Sequence, residues 1–191
     1  MILRDEQLRT GAEVGVQLGT FSLHLLKNWS NCVEFHAIDL WAHQEHYQDP
    51  ANSPQSVQEE AFQTAKKNLE NFNHIIRYHR NFSHLAAKEI KNESLDFIYL
   101  DARHDYVGVA EDLQSYWPKL KPGGIMAGHD YLDLDEQRTI APEQDWGVDA
   151  RGIKRTDNKA VKSAVNEFAR EKNRQVLQTI RDTWPSWYMR K

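Results

Sequence analysis

The sequence predicts an α/β protein built on an open, doubly wound sheet with helices on both faces. Three observations carry that expectation. Apolar residues alternate along the chain between short continuous runs and stretches spaced every three or four positions, the two periods of strands and helices. The run Leu95–Leu100 (LDFIYL) is almost wholly apolar, as in a parallel strand covered on both faces. Most strand-like runs are separated by helix-length segments, which right-handed parallel crossovers require.

The elements follow in order. Ala12, Val14 and Val16 alternate up to a glycine turn, and Phe21, Leu25, Leu26 and Trp29 recur at helical spacing, giving strand, turn and helix. Residues 33–40 (VEFHAIDL) predict a second strand. Val57, Ala61, Phe62, Ala65, Leu69 and Phe72 share one face of a helix over 55–72. A third strand over 74–79 (HIIRYH) leads into a short helix over 83–90. After the fourth strand, Tyr106, Val109, Ala110, Leu113 and Trp117 form a helical stripe. KPGG at 121–124 reads as a turn, and 125–127 as the start of a fifth strand ending at Gly128, His129 and Asp130. From 131 to 155 the composition is polar and irregular, and so long an unstructured stretch in a compact domain is functional or mobile. Thr156 or Asp157 is placed to cap a last helix with the face Ala160, Val161, Ala164, Val165, Phe168 and Ala169. Segments 176–180 and 184–189 read as two closing strands.

Length and composition bound the function. The 191 residues, 40% apolar and 27% charged, fit a single domain over 1–191. Cys32 is the only cysteine, which excludes an internal disulfide framework and a cysteine-rich zinc module. No stretch approaches the roughly 20 apolar residues that span a bilayer, and the opening MILRDEQLRT has no signal-peptide core, so a cytoplasmic location without a membrane partner is expected. A net charge of −4 without a basic block argues against nucleic acid as the main partner.

The first functional pattern is the turn after strand one, Glu13-Val14-Gly15-Val16-Gln17-Leu18-Gly19-Thr20-Phe21-Ser22. A pyrophosphate-binding turn needs G-x-G-x-x-G so that backbone amides can approach the phosphates, and Gln17 stands where that pattern has glycine. A ligand without phosphate, an adenosine joined to an amino acid, fits better. Glu13, two positions before the first glycine, is placed to hold an ammonium group. Asp39, twenty residues beyond Gly19 at the end of strand two, is placed to accept both ribose hydroxyls. Those features favour S-adenosylmethionine over NAD.

Here the sequence resembles class I S-adenosylmethionine-dependent methyltransferases, whose first motif is similar to E/D-x-G-x-x-x-G. The resemblance runs from Gly11 to the Ser186-Trp187-Tyr188 segment and implies a Rossmann-like, seven-stranded, mostly parallel sheet with an antiparallel last strand. It places Glu13, Gly15, Gly19 and Ser22 around the methionine end and Asp39 at the ribose, with Trp41 and Ser83 flanking the adenosine and Asp101 also at the cofactor. Trp41 and Ser83 read equally well as a packing residue and a helix cap.

The second pattern pairs Asp101-Ala102-Arg103-His104 after strand four with Gly128-His129-Asp130 after strand five. Neighbouring strands lie about 4.7–4.9 Å apart, so residues at their carboxyl ends converge. Two carboxylates and an imidazole make a site for a divalent cation. The D-x-x-H and H-D elements are similar to those of a methyltransferase 24-like subgroup related to metal-dependent sugar and small-molecule O-methyltransferases. That resemblance implies Asp101, His129 and Asp130 as ligands of Mg²⁺ or Mn²⁺, and His104 as the base that takes the acceptor's proton. The position of His129 is often a carboxylate in such relatives; an imidazole there lowers magnesium affinity or points to Mn²⁺, unless His129 is no ligand. Asp101 has a second reading as the cap of the next helix. His43-x-x-His46 reads as a solvated loop, and Trp184 and Trp187 as packing for the last strands.

The expected reaction is methyl transfer to a hydroxyl of a small acceptor, with the loops 42–55 and 131–155 as lids and a homo-oligomer as a further partner. Three other readings share parts of the pattern. An NAD-dependent oxidoreductase has the same fold but not Gln17; a metal-dependent hydrolase gives no reason for Glu13 and Asp39; a non-catalytic S-adenosylmethionine-binding module keeps the cofactor fold without turnover.

Overall fold

The structure, a computed structural model, describes residues 2–191. A four-residue helix α1 (Ile2–Asp5) precedes strand β1 (Thr10–Val14), helix α2 (Thr20–Asn28), β2 (Glu34–Asp39), α3 (Gln55–Asn68), β3 (Ile76–Arg80) and α4 (Ser83–Glu89). Then come β4 (Leu95–Leu100), α5 (Tyr106–Tyr116), β5 (Leu120–Gly128), α6 (Leu134–Ile140), α7 (Val161–Glu171), β6 (Leu177–Gln178) and β7 (Trp187–Arg190). The seven strands form one sheet in the order β3-β2-β1-β4-β5-β7-β6. Pairings from β3 to β5 are parallel, and β7 enters antiparallel between β5 and β6, as the resemblance implied. The order reverses direction between β1 and β4, the switch point at which doubly wound sheets open a crevice at their carboxyl ends.

Strand pleat sorts the core onto two faces, because successive side chains point to opposite sides. Phe97 and Tyr99 of β4 join Leu25 and Leu26 of α2 and Trp29 just after it on one face, with Ala37 of β2 under Ala61 and Ala65 of α3 nearby. Ile98 and Leu100 of β4, with Ala12 and Val14 of β1, pack on the other face against Ala86 and Ala87 of α4, Val109 and Leu113 of α5, and Val165 and Phe168 of α7. These are the helical stripes that the spacing predicts, now assigned to faces, except that Val57 at the start of α3 is exposed instead of buried.

Three expectations change. KPGG is no turn between elements: β5 runs through it, and the register against β4 jumps from Leu95–Leu120 to Phe97–Ile125. Pro122 has no amide to give to a ladder and Gly123 takes φ +80°, so the four residues form a bulge inside a continuing strand. The segment 131–155 is not unstructured. Asp133 and Glu136 form a reciprocal capping box that starts α6, and Tyr131, Leu132, Leu134 and Trp146 are buried. The cap of α7 comes from outside its own neighbourhood: Asp133 Oδ1 accepts from the amides of Ala160 and Ser163 at 2.8 and 3.0 Å, a role the sequence predicts for Thr156 or Asp157. One carboxylate thus starts two helices and ties them together.

Candidate active site

A cleft of about 500 Å³ opens along the carboxyl ends of β1, β2, β4 and β5. Glu13, Asp39, Asp101, His104, His129 and Asp130 all line it, together with Gly15 and Ser83. Gly19, Ser22 and Trp41 do not, and each holds the cleft from behind.

Glu13 points from β1 toward α2, where the Ser22 hydroxyl donates to its Oε2. Both residues are buried, and burial pushes the Glu13 carboxyl well above its usual range, with the charges of Asp101 and Asp39 adding to the shift. Gly15 adopts φ +96°, and a Cβ there would lie 1.8 Å from the Asp101 carbonyl oxygen. Its glycine identity therefore belongs to the junction of β1 with β4, whose next residue, Asp101, donates its amide to the Val14 carbonyl at 2.8 Å. Gly19, at φ +71°, precedes α2 at its close approach to Leu69 and Ala65.

Asp39 ends β2 with both carboxylate oxygens engaged: Oδ2 accepts from the Gln17 amide and Oδ1 from the Trp41 amide, each at 2.8 Å. A carboxylate has about four acceptor sites, so lone pairs remain for the cleft. Burial raises Asp39 above its ordinary value against the pull of those amides. Trp41 was expected beside a bound adenosine. Its ring is instead fully buried on Phe62, 4.6 Å between centroids, with Nε1 donating to the Gln17 carbonyl at 2.8 Å. It buttresses the turn that carries Gln17, where Gln17 and Trp41 both take positive φ. Backbone strain of this kind gathers where a structure fixes a site.

At the other end, Asp105 is the cap of α5, its side chain accepting from the Gly108 amide at 3.0 Å, so Asp101 is not spent on capping. His104 Nε2 lies 2.9 Å from Asp130 Oδ2 and 3.6 Å from Asp101 Oδ1. Among the described residues, Asp101, His104 and Asp130 are the one group whose ligand atoms lie within 4.8 Å of one another, as a shared cation requires. The geometry thus gathers His104, rather than His129, with the two acids. His129 stands one step out: its side chain is 34% exposed, and Nδ1 lies 3.0 Å from Asp130 Oδ1. Asp130 itself takes φ +55°, uncommon for a residue with a side chain. His43 and His46 join no such group.

Loop residues complete this end. Tyr47 Oη donates to the Ala102 carbonyl at 3.0 Å and lies 3.3 Å from His104 Nδ1; Asp49 Oδ2 lies 3.4 Å from the same nitrogen. Trp146 covers the His104 ring at 4.7 Å and meets Trp184 at 5.8 Å. Trp184 therefore lines the cleft instead of merely packing the last strand. Burial works against a charge on His104, but Tyr47 and the carboxylates of Asp101, Asp130 and Asp49 hold its pKa well above the usual imidazole value. Burial would raise Asp130; the imidazoles of His104 and His129 against it keep it well below the ordinary range. The Asp130 carboxylate beside it raises His129.

The sequence singled out neither Tyr47 nor Asp49, which sit in a polar loop without periodicity, nor Phe82, an aromatic 47% exposed at the cleft beside Ser83. Arg103 stood next to His104 in the pattern and lines the cleft, but its Nη2 is committed to Asp105 Oδ2 at 2.5 Å.

Comparisons with known proteins bear on the family and the fold. A family described as a methyltransferase domain matches residues 12–131. Solved structures with the same fold include a Staphylococcus aureus protein assigned as a caffeoyl-CoA O-methyltransferase, 14% identical over 100% of this chain and 79% of that one, with a TM-score of 0.67. An O-methyltransferase from Bacillus cereus in complex with SAH is 17% identical over 100% and 77%, TM-score 0.61. The O-methyltransferase TomG from Streptomyces achromogenes, in complex with SAM, is 13% identical over 99% and 75%, TM-score 0.63. No match is found among curated proteins.

Proposed function

Because the chain belongs to the methyltransferase-domain family, we propose that it transfers the methyl group of S-adenosylmethionine to a hydroxyl of a small-molecule acceptor, with a divalent cation at the acidic end of the cleft. One observation carries the reading: Glu13 and Asp39, buried at the ends of adjacent strands, line the same cleft as the Asp101, His104 and Asp130 cluster.

The residues fit the cofactor by charge. Five carboxylates, Glu13, Asp39, Asp49, Asp101 and Asp130, line the cleft against a single arginine that is already paired. Such a surface attracts a sulfonium and an ammonium group and repels a pyrophosphate. The Gln17 amide, which a phosphate would need, is spent on Asp39. The same fit disfavours a dinucleotide oxidoreductase. S-adenosylmethionine, when bound, supplies an electrophilic methyl group on sulfur. Asp39 accepts the ribose hydroxyls with its remaining lone pairs. Glu13, steadied by Ser22, faces the ammonium, whose charge relieves the burial that otherwise favours the neutral acid.

Two carboxylate oxygens and one imidazole nitrogen also fit a divalent cation, and the nitrogen favours Mn²⁺ over Mg²⁺. Asp101, Asp130 and His104 would hold it, with Asp49 behind His104 as the carboxylate that orients a ligating imidazole. A bound cation supplies Lewis acidity that makes the acceptor hydroxyl easier to ionise. The sequence pattern gives the proton to His104, but its two nitrogens face carboxylates and Trp146 covers its ring. We therefore assign proton removal to His129: Asp130 at Nδ1 fixes the tautomer and leaves Nε2 as the acceptor. Trp146 and Trp184 wall the acceptor side and exclude water.

The test is turnover of S-adenosylmethionine to S-adenosylhomocysteine with Mn²⁺ or Mg²⁺ and a panel of catechol and sugar acceptors. Product that requires both metal and a free hydroxyl is expected. Tight cofactor binding without product on any acceptor would instead make the chain a binding module.

A further inference from the structure

The charges that line the cleft do not cancel when the cleft is filled. Glu13, Asp39, Asp49, Asp101 and Asp130 line it, and among the described residues no lysine does. The one arginine there, Arg103, sets Nη2 2.5 Å from Asp105 Oδ2, on a side chain only 2% exposed, with Cζ 5.6 Å from the centre of the Tyr47 ring. That guanidinium is neutralised where it stands. S-adenosylmethionine brings a sulfonium, an ammonium and a carboxylate, one net positive charge, and a divalent cation brings two. With His104 and His129 neutral, as ligand and base, two of the five carboxylate charges stay uncovered. Charges inside a walled cleft are screened far less than those at the surface, so the imbalance acts on whatever binds last.

The wall beside these charges is aromatic. Trp146 is 2% exposed and lies on the His104 ring at 4.7 Å; Trp184 meets Trp146 at 5.8 Å, and both line the cleft. Of the aromatic side chains, tryptophan attracts an organic cation most strongly, through the negative face of its ring. A phosphate or carboxylate on the acceptor would find no free cation among the described residues of this cleft. An ammonium would gain from the uncovered charge and from the indoles.

We propose that the acceptor is a hydroxyl compound bearing an ammonium group, and that the cleft rejects acceptors carrying phosphate or carboxylate. The inference rests on the methyl-transfer reading with its bound cation. It needs no single carboxylate as partner of the ammonium, since the field of the whole cleft sets the preference. Gln44 offers a place to alter that field. It lines the cleft on the loop that carries Tyr47 and Asp49, and it has no part in holding cofactor or metal or in moving the proton. Asn52 fixes its backbone from both sides, accepting from the Gln44 amide at 2.8 Å and donating to the Gln44 carbonyl at 2.7 Å. The side chain can therefore be exchanged with the loop in place.

The experiment is calorimetric titration under argon at about pH 7.5, where an alkylamine is a cation and a carboxylic acid an anion. Protein saturated with S-adenosylhomocysteine and Mn²⁺ is titrated with the aminomethyl, methyl and carboxymethyl derivatives of catechol, which differ in charge at one position. S-adenosylhomocysteine lacks the sulfonium charge, so the cleft is more negative still. The aminomethyl compound should bind about tenfold tighter than the methyl compound, and the carboxymethyl compound about tenfold weaker, as for one added charge in a partly screened site. Gln44→Lys should shrink the amine preference to about threefold or less and strengthen the carboxymethyl ligand, while Gln44→Glu should widen the preference. If one of the two variants does not fold, the other decides. Equal affinities, a carboxymethyl ligand that binds as well as the aminomethyl one, or a ranking that the folded Gln44 variants do not move overturns the proposal. Failure of all three catechols to bind while S-adenosylhomocysteine binds also overturns it and leaves the cofactor reading standing. No binding of S-adenosylhomocysteine overturns both.

Discussion

Asp49 Oδ2 stands 3.4 Å from His104 Nδ1, although the two residues come from different sides of the cleft, the loop after β2 and the loop after β4. The contact makes the 42–55 loop part of the acidic end. It also gives His104 the arrangement of a ligating imidazole, one nitrogen toward Asp130 and Asp101 and the other toward the Asp49 carboxylate.

Removing the Asp49 carboxylate should weaken the cation site without touching its ligands. Asp49→Ala is expected to lower Mn²⁺ affinity by about 10- to 100-fold, read by metal titration calorimetry. Unchanged affinity would separate the loop from the metal.

The exchange of roles between the two histidines is separable by kinetics. His129→Gln should lower kcat by about 100-fold or more while S-adenosylhomocysteine and Mn²⁺ still bind. His104→Ala should instead lose Mn²⁺ binding, with saturation recovered only at high metal. The opposite pattern would return the base to His104, as the D-x-x-H spacing suggested.

Gly15 carries a structural requirement that a motif comparison does not express. Gly15→Ala would place a methyl group 1.8 Å from the Asp101 carbonyl at φ +96°, so β1 and β4 would have to part. The expected loss is about 3 kcal/mol or more, measured by urea unfolding. A variant as stable as the wild type would show that the strand ends tolerate separation.

Away from the cleft, His36 on β2 sets a pH dependence. Burial lowers its pKa to about 4, and the neighbouring His79, at 2.8 Å, adds to the shift. Its ordinary value is 6.5. Between those values the unfolded chain binds a proton that the folded chain refuses, so this group makes stability fall as pH drops from 6.5 toward 4. The difference is worth up to about 3 kcal/mol. Unfolding of wild type and His36→Gln across that window should show the wild type losing more; parallel curves would place the titration elsewhere.

Much of this was legible because one physical cause wrote it. Strand runs and helical stripes record which side chains face a core, and β4 was read to the residue. Asp39, Asp101 and Asp130 were legible because a carboxylate at the end of a parallel strand has a fixed address in this fold. Tyr47, Asp49 and Phe82 were not, since loop residues reach the cleft through tertiary folding that leaves no period. The cap that Asp133 gives α7 spans 27 residues and lies beyond any local rule. The capping box of Asp133 and Glu136, by contrast, was present in the sequence and passed over. His104 and His129 were both found, but their order around the acids depends on side-chain directions that spacing does not encode.

The central claim is that the cleft binds S-adenosylmethionine through Asp39, and calorimetric titration of S-adenosylhomocysteine into wild type and Asp39→Ala tests it most directly. Saturable one-to-one binding to the wild type, weakened by about 100-fold or more in the variant, is the predicted result. No binding to the folded wild-type protein, or equal binding to both, would contradict it.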